Sequence, residues 1–142
     1  MTAPEPGYHA AVGVRWSDID AYGHLNNART VTILEEARVA WLFAPGSPTA
    51  QMAAGSVVAD LHVRYLRQLD HADSPLDVLM WISRLRAADA VVQYEVRAAG
   101  AAVGSNPAVT ASTQMVPFDM AAQRPRRFTD AERAALHRWV RG

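Results

Sequence analysis

The chain has 142 residues, of which 50% are hydrophobic and 20% are charged, and its formal net charge is zero. This length and composition predict one globular domain over residues 1–142, and the balanced charge excludes a global field that recruits nucleic acid or an anionic membrane. Because the sequence contains neither cysteine nor lysine, disulfides, thiolate catalysis, cysteine-ligated metals and Schiff-base chemistry are excluded. We see no signal peptide and no apolar run of membrane-spanning length, so we expect a cytoplasmic protein.

The N-terminal part of the chain is expected to form an arm and then a strand. Residues 1–7 contain two prolines and a glycine and predict a flexible arm. Val12, Val14 and Trp16 recur at every second position, which places them on one face of a strand. We therefore predict the first strand over residues 8–16.

A helix is expected to follow, from about residue 26 to residue 43. Its apolar residues recur with the helical period and gather on one broad face. Glu35, Glu36 and Arg38 are expected on a solvated or interfacial face, where the acids and the arginine can pair. The proline- and glycine-rich segment 44–48 cannot continue the helix and ends it.

Four further strands are expected, at residues 56–69, 76–85, 91–97 and 108–118. The first alternates between a dry and a wet face, whereas the second is apolar on both faces, as expected of a central strand. The linkers between the strands are short enough for antiparallel hairpins. Near the C-terminus, Thr129 and Glu132 have the spacing of a capping box, which predicts a helix within residues 128–142.

The order of these elements, with one long helix against an antiparallel sheet, predicts an α+β fold. An open sheet leaves its edge strands unpaired, and the apolar face that carries Leu79 and Trp81 needs a cover. We therefore expect the chain to form a homodimer.

The chemistry of the sequence is concentrated at residues 17–27, which hold two acids, a glycine, a histidine and two asparagines just before the helix. A helix N-terminus has unpaired N–H groups and the positive end of the helix dipole. A carboxylate aimed at the same place makes a site that attacks an electrophile and stabilises the negative charge that develops. Asp20 is the candidate, the alternative being that it only caps a turn or the helix. Asp18 is expected to be structural, as a turn acid or a partner of Arg15.

The other polar residues carry weaker signals. Asn27 is expected at the helix start, as the N-cap or in the first turn. The histidines outside this segment are scattered, without the spacing of a ligand set. We therefore expect no metal site.

Positions 18–27 form the pattern D-x-D-x-x-G-H-x-N-N, and E-E-A-R follows at positions 35–38. This region resembles the signature region of the 4-hydroxybenzoyl-CoA thioesterase-like hotdog proteins. Positions 63–69 and 116–127 resemble later parts of the same family, so the likeness covers nearly the whole chain in order. It implies a hotdog fold, in which an antiparallel sheet wraps one long central helix and two subunits join edge to edge, with further assembly to a tetramer expected. It also implies hydrolysis of an acyl-CoA thioester at the dimer interface, with no cofactor beyond the CoA of the substrate.

The resemblance also implies roles for the site residues. The second acid of the pattern matches Asp20, which would be catalytic, and the backbone N–H of Asn27 would polarise the thioester carbonyl. Plant acyl-carrier-protein thioesterases are similar at these positions, which makes His24 a further catalytic candidate, the alternative being a surface or supporting group. We add the backbone N–H of Gly23 as a second donor to the carbonyl.

Tyr22, Arg67 and Arg126 are the candidates for substrate binding. Arg126 lies in an arginine-rich segment and could bind the phosphates of CoA bidentately, the alternative being a solvated basic linker. Many relatives carry aromatic residues after the two asparagines, where this chain has Thr30 and Ile33. That departure changes the acyl pocket or its dimer wall.

Two other functions stay open at this point. Enoyl-thioester hydratases of this fold tend to use an acid and a histidine separated by four residues, whereas Asp20 and His24 are separated by three. A non-catalytic protein could also bind acyl-CoA with the same fold, although the presence of Asp20 argues against it. For a hydrolase, an acyl carrier protein could replace CoA, and Asp20 could either attack the carbonyl or deprotonate a water.

Overall fold

The computed structural model describes residues 5–142, and its strands and helices follow the predicted order. In this part of the chain, the longer helix has 16 residues and the shorter one has 8. No helix within it is long and apolar enough to cross a membrane. The elements are β1 Tyr8–Val12, α1 Asn27–Leu42, β2 Ser56–Tyr65, β3 Leu76–Leu85, β4 Ala90–Arg97, β5 Val109–Asp119, β6 Arg124–Pro125 and α2 Asp130–His137.

The strands form one curled antiparallel sheet in the order β1-β3-β4-β5-β2, and the short β6 pairs with the end of β5. Two of the expected hairpins are present, because β3 pairs with β4 and β4 pairs with β5. The third expected hairpin, between β2 and β3, is absent. These strands are consecutive in the chain but are not neighbours in the sheet, and β2 pairs along its length with β5. The intervening residues 66–75, which include a short 3₁₀ turn at His71–Asp73, therefore carry the chain across the sheet.

The core lies between one face of the sheet and one face of α1. On β3 every second side chain from Leu76 to Ile82 is fully buried, as strand geometry requires when one face is covered. On the predicted apolar face of α1, Ile33, Leu34, Ala37 and Trp41 are buried against it, whereas Ala40, which was expected on the same face, is exposed. Burial of each large apolar side chain contributes about 1.5–3 kcal/mol to the free energy of unfolding.

Arg38 does not lie where the sequence pattern predicted. It is 7% exposed and belongs to the buried face of α1, whereas Glu35 and Glu36 are exposed as expected. The prediction that Arg38 lies on a solvated or interfacial face is therefore wrong within this chain, because Arg38 is buried.

The first strand is shorter than predicted and ends at Val12. Val14 is still buried, but Trp16 begins a 3₁₀ turn and is 76% exposed, with its ring stacked at 4.0 Å on the ring of His71. The cause is local: the Asp18 carboxylate accepts the backbone N–H of Arg15 at 2.9 Å, which closes a turn and removes these residues from the sheet.

The edge strand β2 is exposed along most of its length, on both faces. The dry face predicted for it is therefore not covered within one chain. The face with Leu79 and Trp81, by contrast, is partly covered by the chain itself, since the Arg141 guanidinium lies 4.0 Å above the Trp81 ring and Gly7 lies against Leu79.

The two ends of the described chain meet on this same face. Residues 1–4 of the predicted arm lie outside the described residues. In the remainder of the arm, the Pro6 carbonyl accepts a hydrogen bond from the Arg141 guanidinium at 2.7 Å, and Glu5 pairs with the same guanidinium at 3.2 Å. At the start of α2, Thr129 and Glu132 make both hydrogen bonds of the predicted capping box.

Candidate active site

A tight turn precedes α1 and contains the predicted catalytic acid. The backbone N–H of Asp20 donates to the carbonyl of His24 at 2.8 Å, and the N–H of Gly23 donates to the carbonyl of Asp20 at 3.1 Å. Gly23 has a φ of 82°, in the left-handed region where a side chain would be strained. The turn therefore requires glycine at this position, and its hydrogen bonds use the Gly23 N–H.

The Asp20 carboxylate has one engaged and one available oxygen. Its Oδ1 accepts the backbone N–H groups of Tyr22 at 2.9 Å and His24 at 3.2 Å. Its Oδ2 has no hydrogen-bond partner among residues 5–142, and the residue lines a cleft. The turn role that the sequence left as an alternative is thus present, but it occupies only half of the carboxylate.

The start of α1 leaves one backbone donor free. Asn26 is the N-cap, and its side-chain oxygen accepts the N–H groups of Ala28 at 2.8 Å and Arg29 at 3.3 Å, while its carbonyl accepts that of Thr30 at 3.0 Å. The N–H of Asn27, the first helical residue, has no acceptor within residues 5–142. Of the two positions considered for Asn27, the structure shows the first turn.

Tyr65, at the end of β2, fixes this first turn from the other side. Its hydroxyl donates to the Asn27 carbonyl at 2.6 Å. Partial burial raises the pKa of Tyr65 above its ordinary value, so the hydroxyl keeps the proton that this bond needs. Sequence reasoning did not select Tyr65, although it lies inside the stretch 63–69 that carried part of the family resemblance.

Asp20 and Asn27 open into the same cleft, of about 460 Å³, between the turn, α1 and the end of β2. Of the predicted substrate-binding residues, only Arg67 lies on its wall. The cleft is lined by Asp20, Leu25, Asn27, Thr30, Tyr65, Leu66, Arg67, Gln68, Leu69 and Val109.

Three other predicted site residues do not reach the cleft with the group proposed for them. The Gly23 N–H, predicted to be a second donor to the thioester carbonyl, already donates to the Asp20 carbonyl in the turn. The His24 side chain makes no hydrogen bond within the described chain, and His24 is not on the cleft wall. Only its backbone N–H and carbonyl take part in the turn. Tyr22 is 85% exposed and is not among the wall residues.

Arg126 has a structural partner and lies elsewhere. Its guanidinium makes a bidentate pair with the Glu132 carboxylate, at 2.8 and 3.0 Å, and Glu132 is 1% exposed. Burial raises the pKa of Glu132, but the hydrogen bonds from Arg126 and Thr129 outweigh it, so that the pKa lies below its ordinary value. Arg126 is therefore engaged in an ion pair within the chain, whereas Arg124 and Arg127 of the same segment are exposed.

Asp18 is structural, as expected. It is 1% exposed and accepts hydrogen bonds from the Arg15 backbone and guanidinium at 2.9, 3.3 and 3.0 Å. These bonds hold the pKa of Asp18 below its ordinary value. Within residues 5–142, no group of three or more histidine and acidic side chains is arranged to hold a metal ion.

Comparison with known proteins places this geometry in a family. The model of the thioesterase-like superfamily matches residues 14–136, whereas no curated protein matches the chain. Among solved structures, the chain is similar to the PA2801 protein of Pseudomonas aeruginosa, a thioesterase candidate. That similarity has 31% identity and a TM-score of 0.75, and covers 92% of this chain and 96% of that one.

Two solved structures of lower sequence identity share the fold. One is a thioesterase-superfamily protein from Jannaschia sp. CCS1, with 16% identity, a TM-score of 0.82 and 100% coverage of both chains. The other is a thioesterase from Thermus thermophilus in complex with coenzyme A and Zn, with 24% identity, a TM-score of 0.70 and coverage of 91% and 90%. The family model matches most of the length of this chain, and the chain therefore belongs to the thioesterase-like superfamily of hotdog-fold proteins.

Proposed function

We propose that this protein hydrolyses an acyl-CoA thioester to a free acid and CoA. The observation that supports the proposal is that one cleft is lined both by Asp20, which has an available carboxylate oxygen, and by Asn27, which has an unpartnered N–H. A thioester needs both: an oxygen that attacks the carbonyl carbon or activates water, and a donor for the carbonyl oxygen. Membership of the thioesterase-like superfamily is consistent with this chemistry.

In the proposed reaction, the thioester carbonyl oxygen accepts the Asn27 N–H at the positive end of the α1 dipole. A preorganised donor of this kind typically contributes about 10²–10³ in rate, because the oxygen becomes negative as the carbon is attacked. Either Asp20 attacks, so that its oxygen bonds to the carbonyl carbon while the C–S bond breaks, or Asp20 takes a proton from an attacking water. In the first case water then cleaves the mixed anhydride, and in both cases CoA leaves as a thiolate that scarcely needs protonation.

We propose that the active unit is a homodimer in which the sheet wraps α1, as in a hotdog fold. The support is the edge strand β2, whose apolar residues Val57, Val58 and Leu61 are each at least 37% exposed. A second copy would cover this edge and close the open side of the cleft next to Tyr65. We further propose that the protein acts in the cytoplasm and needs no cofactor. Assembly to a tetramer and use of acyl-carrier-protein thioesters are extensions of the same proposal.

The enoyl-thioester hydratase alternative has less support from the geometry. Hydration requires an acid and a histidine that reach the same substrate, and the His24 side chain is not on the wall of the cleft that Asp20 lines. Binding without turnover is the remaining alternative, and only a measurement of the reaction separates it from hydrolysis.

The test is a panel of acyl-CoA thioesters with aromatic, short aliphatic and long aliphatic acyl groups, assayed for free thiol with a chromogenic reagent. We expect thiol release from at least one of them, at a rate that exhaustive chelation of divalent ions leaves unchanged. Tight binding with no release from any thioester would support the binding protein instead. Loss of activity on chelation, restored by a divalent ion, would contradict the cofactor-free mechanism.

A further inference from the structure

A buried cation on α1 has no acidic partner. Arg38 is 7% exposed, and one of its guanidinium nitrogens, Nη1, donates to the Tyr94 hydroxyl at 3.0 Å. No carboxylate of residues 5–142 lies within ion-pair distance of it. Arg97, the other buried arginine in this part of the chain, differs in this respect because it pairs with Glu95. A buried charge without a counter-ion is costly, so the Arg38 guanidinium is a candidate site for an anionic group.

Two buried hydroxyl groups belong to the same hydrogen-bond network as Arg38. Tyr94 and Thr113 are 1% and 2% exposed, and their hydroxyl oxygens lie 2.8 Å apart. Because a guanidinium can only donate, the Tyr94 oxygen accepts from Arg38, and one arrangement of the hydroxyl pair has Tyr94 donate its proton to Thr113. The Thr113 hydroxyl proton is then left for another acceptor.

These donors border a cavity of about 160 Å³ between α1 and β2. The remaining N–H groups of Arg38 have no hydrogen-bond partner in the described chain. Among the described residues, the Ser56 hydroxyl is the only side-chain group that is both fully buried and without a partner, so these Arg38 N–H groups are not fully buried. They are therefore accessible from the cavity. A cavity of about this size holds a benzene-sized group. Its walls are Val31, Leu34, Glu35, Arg38, Val58, Leu61 and Thr113.

Glu35 is the one acid on these walls. It is exposed and lines the cavity, and no ion pair joins it to Arg38 in the described chain. It therefore does not neutralise the buried guanidinium by direct contact.

The cavity lies in line with the proposed catalytic cleft. Asn27, Val31, Leu34 and Arg38 are spaced by four, three and four residues, so they form a single stripe along α1. Arg38 is about 16 Å from Asn27 along the helix axis, and its side chain leans back toward the helix N-terminus. β2 runs beside this stripe, with Tyr65 near Asn27 and with Leu61 and Val58 near Arg38. An acyl chain whose carbonyl binds at Asn27 and whose far end reaches Arg38 would have to run along this stripe, although the cleft and the cavity share no wall residue.

We propose that Arg38 and Thr113 bind a carboxylate at the far end of the acyl chain, so that the preferred substrates are CoA thioesters of dicarboxylic acids. The distance along the helix corresponds to an acyl chain of roughly eight to ten carbons. This inference rests on the proposed function for the position of the thioester. The carboxylate supplies the missing counter-ion, and its oxygens accept from the guanidinium and from the Thr113 hydroxyl.

The test compares two non-hydrolysable CoA thioethers of equal chain length, one ending in a methyl group and one in a carboxylate, by equilibrium binding. Hydrogen bonds to a charged group predict that the protein binds the carboxylate form roughly tenfold to a hundredfold more tightly. In Arg38→Met, which keeps the volume and removes the charge, we expect that preference to vanish while the methyl form binds as before. Arg133→Met, an exposed arginine on α2, removes the same charge outside the cavity and should leave the preference intact.

Equal affinity for the two thioethers, binding of neither, or a preference that survives Arg38→Met would each overturn the inference. If Arg38→Met does not fold, Thr113→Val takes its place and must reduce the preference, and an unchanged preference in that variant overturns the inference as well. Because binding is measured without turnover, the two proposals fail separately. A carboxylate preference without thiol release from the matching thioester refutes hydrolysis alone, whereas thiol release without the preference refutes the role of Arg38.

Discussion

Replacement of Asp20 by asparagine separates the catalytic role of this residue from its structural role. In the native turn, Oδ1 accepts two backbone N–H groups while Oδ2 has no partner and the residue lines the cleft. The asparagine carbonyl oxygen can keep both Oδ1 bonds, and its NH₂ group then occupies the Oδ2 position, where it can donate but cannot accept a proton. The turn should survive while the base or nucleophile is lost.

The expected magnitudes differ enough to decide between the roles. With both turn bonds retained, the free energy of unfolding should change by less than about 1 kcal/mol. Loss of a general base should lower kcat by about 10²–10⁴, equivalent to about 2.7–5.4 kcal/mol in the activation barrier, and loss of a nucleophile should cost at least as much. The measurements are kcat and KM on the best acyl-CoA, together with the melting temperature.

Asp18→Asn is the matched control, because it makes the same chemical change two residues earlier. Asp18 is buried against Arg15, which is largely exposed. The substitution should therefore cost about 1–2 kcal/mol of stability and change kcat little. A kcat near the wild-type value for Asp20→Asn, or equal kinetic losses in the two variants, would refute the assignment of Asp20.

Three further outcomes are expected. Tyr65→Phe removes the hydrogen bond to the Asn27 carbonyl. It should lower the free energy of unfolding by about 1 kcal/mol and lower kcat/KM by up to about tenfold. An unchanged kcat/KM would show that this bond does not position the Asn27 N–H. Glu132 has a lowered pKa, so the stability that it contributes is complete above the ordinary carboxyl pKa and is lost as the pH falls through the lower, folded-state value. Melting curves against pH should show this acid-side loss in the wild type and a smaller one in Glu132→Gln, whereas Arg126→Met should lower the stability near neutral pH by about 3 kcal/mol. Light scattering after size exclusion should give at least a dimer, and a monodisperse monomer at micromolar concentration would contradict the interfacial site.

Features that depend on a few neighbouring residues could be predicted from the sequence. The capping box at Thr129 requires only residues three apart, and the helix boundaries follow from a local cap and a proline. The Asp18–Arg15 partnership is also local. In each case the hydrogen-bond partners lie within one turn of each other, so the chain has few alternatives.

Features that depend on distant partners could not be predicted in the same way. The short linker before β3 permits a hairpin, but β2 pairs with β5 instead, because strand pairing is decided by the packing of the whole sheet. Arg38 follows Glu35 and Glu36 in a charged stretch of α1, and its burial depends on the distant Tyr94, whose hydroxyl accepts a hydrogen bond from its guanidinium. The alternation that ends in Trp16 continues a strand pattern, whereas the local hydrogen bonds of Asp18 turn the backbone away first.

The stacked pair of Trp16 and His71 gives the protein an optical property of its own. Trp16 precedes the turn that carries Asp20, and His71 follows the segment 66–69 on the opposite wall of the cleft, so one aromatic contact joins the two segments. The chain has four tryptophans, and Trp16 is the one exposed at 76%, which makes its indole emission the most sensitive to solvent. A ligand that separates or tightens the two segments changes the overlap of indole and imidazole, and with it the intensity of that emission. The protein therefore carries an exposed fluorophore next to the segment that holds Asp20, and we expect ligand binding in the cleft to change its emission.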